Sequence, residues 1–274
     1  MKRKWMAYPY VLWMIVFTVI PLALVLYYSV IVVDSTGIHF TLKYIKRVFE
    51  PIYLSVFWRS LRLAVTSTII CLILGYPMAM ILAGKNLSKK STMVVLFIIP
   101  MWMNFLARTY AWMTLLENNG IVASLFKFFG LNAPTLLYTE KAVILGMVYN
   151  FLPFMVLPIY SILVKTDKAV LEAAEDLGAP PFTVFRRIIF PLSLPGVLSG
   201  VIMVFMPALT TFVISKLLGG GQFTLIGNLI QEQFLTTRNW GFGSALSVVL
   251  MLIMVFTMSI NMKYEQENEG GGLW

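Results

Sequence analysis

The sequence predicts an all-α polytopic membrane protein with about six transmembrane helices, organised as one membrane domain over residues 1–274. Three observations carry that expectation. Of the residues, 59% are hydrophobic and only 12% charged, and the mean hydropathy is +0.84, whereas soluble domains carry about 25% charged residues. Apolar runs long enough to cross a hydrocarbon core of about 30 Å, which takes about 20 helical residues, recur six times. The stretches between those runs are short, so 274 residues leave little for a soluble domain.

The first expected span, Tyr10 to Val33, follows Lys2, Arg3 and Lys4. That order resembles a secretory signal, but the run exceeds the roughly 7 to 15 residues of a signal core and no small-x-small cleavage site follows. It therefore reads as a retained helix. The second span, Leu61 to Ala83, contains Pro77 and also Cys71, which reads as a small packing residue. The third, Met93 to Leu116, carries Pro100, Asn104, Arg108, Tyr110 and Trp112, with Glu117 just beyond. The fourth, Ala142 to Leu163, carries Tyr149, Asn150, Pro153, Pro158 and Tyr160. The fifth runs from Val197 to Ser215 around Pro207, and the sixth from Phe242 to Met262. An outer segment, 217–240, joins the last two, and its stretch Leu225 to Phe234 reads as a short amphipathic helix bearing Glu232. The tail beyond Lys263, ending in Gly270-Gly271-Gly272 and two further residues, reads as a frayed end.

Orientation follows from the basic residues. With the amino terminus in the cytoplasm, Lys2, Arg3, Lys4, Lys85, Lys89, Lys90, Lys165, Lys168, Arg186, Arg187 and Lys263 fall inside, just over half of the 21 Lys and Arg. Lys43, Lys46, Arg47, Arg59 and Arg62 near the first outer loop blunt the bias. Both termini are then cytoplasmic.

Several function classes drop out. The net charge of +9 is placed near span ends, where it meets anionic lipid, and no aromatic-interleaved basic surface suggests nucleic acid. One Cys and one His, Cys71 and His39, assemble neither a metal site nor a disulfide. A phosphate-cradling loop needs G-x-x-x-x-G-K-[ST]; the nearest stretch, Ala79 to Asn86, lacks its first Gly and last hydroxyl. Any ATP and Mg chemistry therefore sits on another polypeptide, and no cofactor is expected on this chain. An intramembrane enzyme would need a nucleophile beside a base, which the scattered Ser and Thr of the spans lack.

The loop over residues 165–195 is polar yet not loop-like. Ala169 to Leu177 is rich in helix formers, Asp167 can cap its start and Gly178 can stop it. Pro180-Pro181 turn the chain, and Phe182, Phe185, Ile188 and Ile189 then recur at helical spacing, flanked by Arg186 and Arg187, up to Pro191. The pattern Glu172-Ala173-Ala174, Gly178, Ile188 and Pro191 resembles the cytoplasmic loop of the permease subunits of bacterial ABC importers, with Phe190 where that family usually has Leu. Further segments, among them Ile99-Pro100-Met101-Trp102, Arg108-Thr109-Tyr110, Leu152-Pro153-Phe154-Met155, Leu218-Gly219-Gly220 and Leu225-Ile226-Gly227-Asn228, are similar to the B-type permeases of spermidine/putrescine importers, from Leu42 to Ser247.

The resemblance implies a type I ABC importer permease fold in a bacterial inner membrane. It also implies a homologous second permease, an ATPase dimer and an extracytoplasmic polyamine-binding protein as partners. Glu172, Ala173, Ala174, Asp176, Leu177 and Gly178 then form a coupling helix that lodges in an ATPase cleft. A surface helix lying on lipid headgroups is the plainer alternative for this stretch. For the substrate path, Asn104, Tyr110, Trp112, Glu117, Tyr149, Asn150, Pro207 and Glu232 are candidates. The two amides either tie helices together or line a wet passage, the aromatics either line it or anchor at the interface, and Pro207 either bends its helix or is merely tolerated. No acid lies deep in a span, and Asp34, Glu117, Glu140 and Glu232 all sit toward the outside. A stand-alone carrier fits the hydropathy, but it has no use for an ATPase-docking loop and usually shows intramembrane ionisable residues or repeat symmetry.

Overall fold

A computed structural model describes residues 8–34, 37–84, 87–132 and 135–270. The basic cluster Lys2, Arg3 and Lys4, Lys85, and the end of the tail lie outside the described residues. The same holds for the side chains of Asp34, Lys89, Lys90, Lys168, Glu175 and Lys263. The chain divides into two compact units, Met1–Arg59 with Leu225–Phe256, and Ser60–Thr224 with Thr257–Trp274.

In the first unit, α1 (Tyr8–Val30) exposes nearly every side chain, as expected of a helix that is apolar all round and faces lipid or a partner. It ends at Val30, three residues before the end of the expected span. Ile31, Val32 and Val33 instead enter a two-stranded hairpin, β1 (Ile31–Asp34) against β2 (Gly37–Phe40), with Ile31 opposite Phe40 and Val32 opposite His39. Three β-branched residues in succession favour strand over helix once the chain must turn. Short α2 (Lys43–Val48) follows. Its Arg47 lies over the rings of Phe242 (4.6 Å) and Tyr53 (5.5 Å) and donates to the Tyr53 hydroxyl at 2.9 Å. The unit also holds α11 (Ile226–Leu235), one residue from its expected start, and most of α12 (Trp240–Gly270). Ile226, Phe242, Ala245 and Leu246 are buried within it.

The second unit is built around α7 (Glu140–Lys165), which Thr139 caps by accepting from the Ala142 N–H. Long α3 (Pro51–Ala83), of which the part from Ser60 on belongs here, runs beside it. Ser67 meets Met147, and Cys71 meets the Val148 carbonyl. Cys71 is fully buried as a packing residue. Arg62 of α3 pairs with Glu140.

The expected third span is not one helix. α4 (Leu87–Trp102) stops, and α5 (Phe105–Leu116) restarts at a bend of 94°. Short α6 (Ile121–Phe128) follows. The expected fifth span is likewise redrawn. α9 runs unbroken from Pro181 to Thr210, taking in the amphipathic helix of the polar loop, and α10 (Val213–Leu218) follows a break at Thr211 and Phe212. α8 (Lys168–Asp176) precedes α9.

The prolines act in more than one way. Pro77, Pro153 and Pro158 lie inside continuous helices. Pro21 and Pro191 are each preceded by a π turn, Ile15–Val19 and Phe185–Ile189, whose closing bond runs from the residue just before the proline, Ile20 or Phe190, back five residues. The proline ring would clash with the carbonyl four residues earlier, and a widened turn moves that carbonyl aside. Pro207 sits in the last turn of α9, not at mid-helix as the shorter expected span implied.

α9 packs on α7 through a small-residue stripe. A Cβ at Gly196 would lie 2.9 Å from the Pro158 carbonyl oxygen and 3.1 Å from the Ile159 Cα; one at Gly200 would lie 3.1 Å from the Met155 carbonyl oxygen. Only glycine permits this backbone approach, the usual way helices associate without a hydrophobic drive.

Candidate functional site

The polar loop over residues 165–195 is compact. The Asp167 carboxylate accepts from the Ala169 N–H at 2.9 Å and so caps α8. At the other end Gly178 adopts φ +74° and the Ala179 N–H reaches the Ala174 carbonyl at 3.1 Å, a Schellman stop. Within α8, Ala174 is buried while Glu172, Ala173 and Asp176 are exposed. Leu177, just past the helix, is 88% exposed, and Phe182 beyond the turn is 72% exposed. Arg186 and Arg187 are also exposed, in the π turn that leads into the membrane part of α9.

The candidate path residues do not form one cluster. Trp112 of α5 and Tyr149 of α7 meet edge to face, 5.2 Å between centroids. Next to Tyr149, Asn150 is 2% exposed. Its amide nitrogen donates to the Gly146 carbonyl at 2.9 Å, and its carbonyl oxygen is buried without a partner. The bond stays within α7, so Asn150 does not tie two helices together here. α5 and α10 also pack against each other and against α7.

Asn104 makes its side-chain hydrogen bonds within its own segment. It is exposed and is the cap of α5, accepting from the Leu106 and Ala107 N–H groups at 2.8 and 3.3 Å. The helix break places it at a terminus, where an amide satisfies orphan donors. Tyr110 is exposed, and Glu117 is an exposed residue closing α5. Arg108 makes no pair with Glu117 among the described residues, and its Nε is buried without a partner. Glu232 is exposed on α11, in the other compact unit.

Two structural features lie outside the sequence expectations. The helix break at Met103 and Asn104 had a signal, since Asn before an apolar run and after Pro100 is a start signature. The other is a buried pair of hydroxyls, Tyr76 and Ser193, 2.7 Å apart and 117 residues apart in sequence. No local pattern announces it.

Residues 75–266 match the family described as binding-protein-dependent transport system inner membrane component. The chain is 41% identical over 252 residues to the spermidine/putrescine transport system permease protein PotB of Haemophilus influenzae, covering 89% of this chain and 88% of the relative. Its fold matches a chain from the crystal structure of a bacterial ABC transporter involved in the import of the acidic polysaccharide alginate, with a TM-score of 0.79, 96% of both chains covered and 16% identity. A second match is to the bacterial alginate ABC transporter in complex with an alginate pentasaccharide-bound periplasmic protein, at TM-score 0.68, 93% of both chains and 17% identity. At those identities the likeness to solved structures concerns the fold alone.

Proposed function

Because the chain belongs to the binding-protein-dependent transport system inner membrane component family, we propose that it carries polyamines, spermidine and putrescine, into the cytoplasm as one permease subunit of an ATP-driven importer working by alternating access. It is an inner-membrane transport subunit and not an enzyme, with ATP hydrolysis on a separate subunit. The observation that carries the substrate class is the 41% identity, sustained over 89% of the chain, to a permease named for spermidine and putrescine. The fold neighbours do not bear on cargo.

The partners proposed are a homologous second permease, an ATPase dimer holding ATP and Mg, and an extracytoplasmic polyamine-binding protein. Glu172, Ala173, Ala174, Asp176, Leu177 and Gly178 are proposed to seat in the ATPase. The exposed Leu177 and Phe182 support that reading, since a bare apolar tip on a polar hook gains by burial. Both termini are proposed to be cytoplasmic, on the side of this loop. Trp112, Tyr149 and the unpartnered Asn150 oxygen are proposed to border the path, with Glu232 as an outer acid attracting the cation. A second reading, import of another small organic solute, is favoured by the absence of any acid deep in the spans.

The test is reconstitution of the complete importer in proteoliposomes. Polyamine-loaded receptor should stimulate ATP hydrolysis and drive polyamine accumulation. An assembly that hydrolyses ATP on receptor addition yet accumulates no polyamine would refute the substrate class, and accumulation by this chain alone would refute the importer.

A further inference from the structure

We propose that Tyr76 and Ser193 form a fastening between α3 and the segment by which the coupling loop enters α9, and that this fastening turns movement of the loop into movement of the membrane helices. The inference rests on the ABC-permease reading above and adds positioning residues to it. Tyr76 is 7% exposed and Ser193 is fully buried, with their oxygens 2.7 Å apart. The Ser193 hydroxyl also donates to the Phe190 carbonyl at 2.9 Å. A serine hydroxyl has one proton to give, so Tyr76 O–H donates to Ser193, and Ser193 O–H donates to Phe190. The chain of bonds therefore leads from α3 into the backbone of α9 at Phe190, the closing residue of its π turn.

Three rings meet beside this pair. Tyr76 meets Phe185 edge-on at 5.7 Å and Phe190 at 5.8 Å, and the two phenylalanines lie 6.3 Å apart. In a regular α-helix, residues five apart point about 140° away from each other. The π turn Phe185–Ile189 brings them to one face, and Pro191 is the physical cause of that turn. The clasp thus exists because of the proline that ends the polar loop's signature. On the other partner, Pro77 directly follows Tyr76 and withholds a donor from the Ile73 carbonyl. α3 is therefore held beside its own weak joint, seven residues before its cytoplasmic end at Ala83. A ring buried only for stability would not need a hydroxyl that reaches a second hydroxyl in another helix. Each such donor must be satisfied to be kept buried.

The experiment uses the complete importer in proteoliposomes with Tyr76→Phe, Ser193→Ala, the double variant, and Glu172→Lys with Gly178→Trp as a control for ATPase docking. Solute accumulated per ATP hydrolysed is read together with basal ATP hydrolysis and the melting temperature of the assembly. The expected result is a fall in the ratio of about fivefold for Tyr76→Phe, the scale of one hydrogen bond, with basal hydrolysis unchanged. Ser193→Ala, which also removes the bond to the Phe190 carbonyl, should lower the ratio at least as far, and the double variant should be no worse than Ser193→Ala, since it removes no further bond. An unchanged ratio in Tyr76→Phe, or a loss fully tracked by the melting temperature, overturns the fastening. If the docking control uncouples while Tyr76→Phe does not, the fastening alone fails. If neither changes the ratio, the importer reading fails with it.

Discussion

Replacing Gly196 by Ala adds one methyl group at the α7–α9 contact, and its sign can be worked out. In a free helix the change is favourable by about 1 kcal/mol, because Ala restricts the unfolded chain and Gly does not. Against that, the new Cβ would lie 2.9 Å from the Pro158 carbonyl oxygen, 3.0 Å from Ile162 Cγ1 and 3.1 Å from the Ile159 Cα, where ordinary contact begins near 3.4 Å. Two of the three obstacles are backbone and cannot rotate aside. The helices must therefore part by about 0.5 Å, which forfeits about a quarter of the dispersion well at every contact along the seam. Overpacking of this kind costs about 1 to 3 kcal/mol, so the net expectation is a loss of about 1 kcal/mol. Cys71, the chain's single cysteine and fully buried, offers the assay. With cysteine-free partner subunits, a thiol-reactive fluorophore reports unfolding as Cys71 is uncovered. Gly196→Ala should lower the melting temperature. Gly200→Ala should lower it less, because its nearest obstacle, the Met155 sulfur at 2.9 Å, can move. A Gly196→Ala protein that melts at or above the wild-type temperature would refute the account of the seam.

Two further outcomes follow from single residues. Asn104→Ala removes two capping bonds from α5 and should cost about 1 kcal/mol, whereas Asn104→Asp should be nearly neutral; amide exchange at Leu106 and Ala107 reads the difference. Asn150→Leu removes one hydrogen bond and one buried unpartnered oxygen together, so the two effects offset and the melting temperature should hold, while Asn150→Asp, which buries a charge, should lower it.

Hydropathy located the second and fourth membrane helices well, because α3 and α7 each carry one uninterrupted apolar run: Leu61 to Ala83 lies inside Pro51–Ala83, and Ala142 to Leu163 inside Glu140–Lys165. It failed at the third and fifth for one shared reason. A break made by a capping Asn or by Thr211-Phe212 contains no charge, so a hydropathy window passes over it. The polar loop was legible down to Asp167 and Gly178, since caps and stops are local chemistry. The Trp112–Tyr149 contact and the Tyr76–Ser193 pair were not, because each joins residues from helices far apart in sequence. The capping role of Asn104 was hidden because the third span was read as one straight helix from Met93 to Leu116, whereas the chain bends by 94° there.

The glycine stripe has a mechanical corollary. With carbonyl oxygens of one rod about where a side chain of the other would begin, little room is left for either to slide or roll before backbone meets backbone. That couple behaves as a chassis. Whatever opens and shuts during a transport cycle must then swing at articulations elsewhere, and the two uncharged interruptions, at Met103-Asn104 and Thr211-Phe212, are where the chain has already given up its helical stiffness.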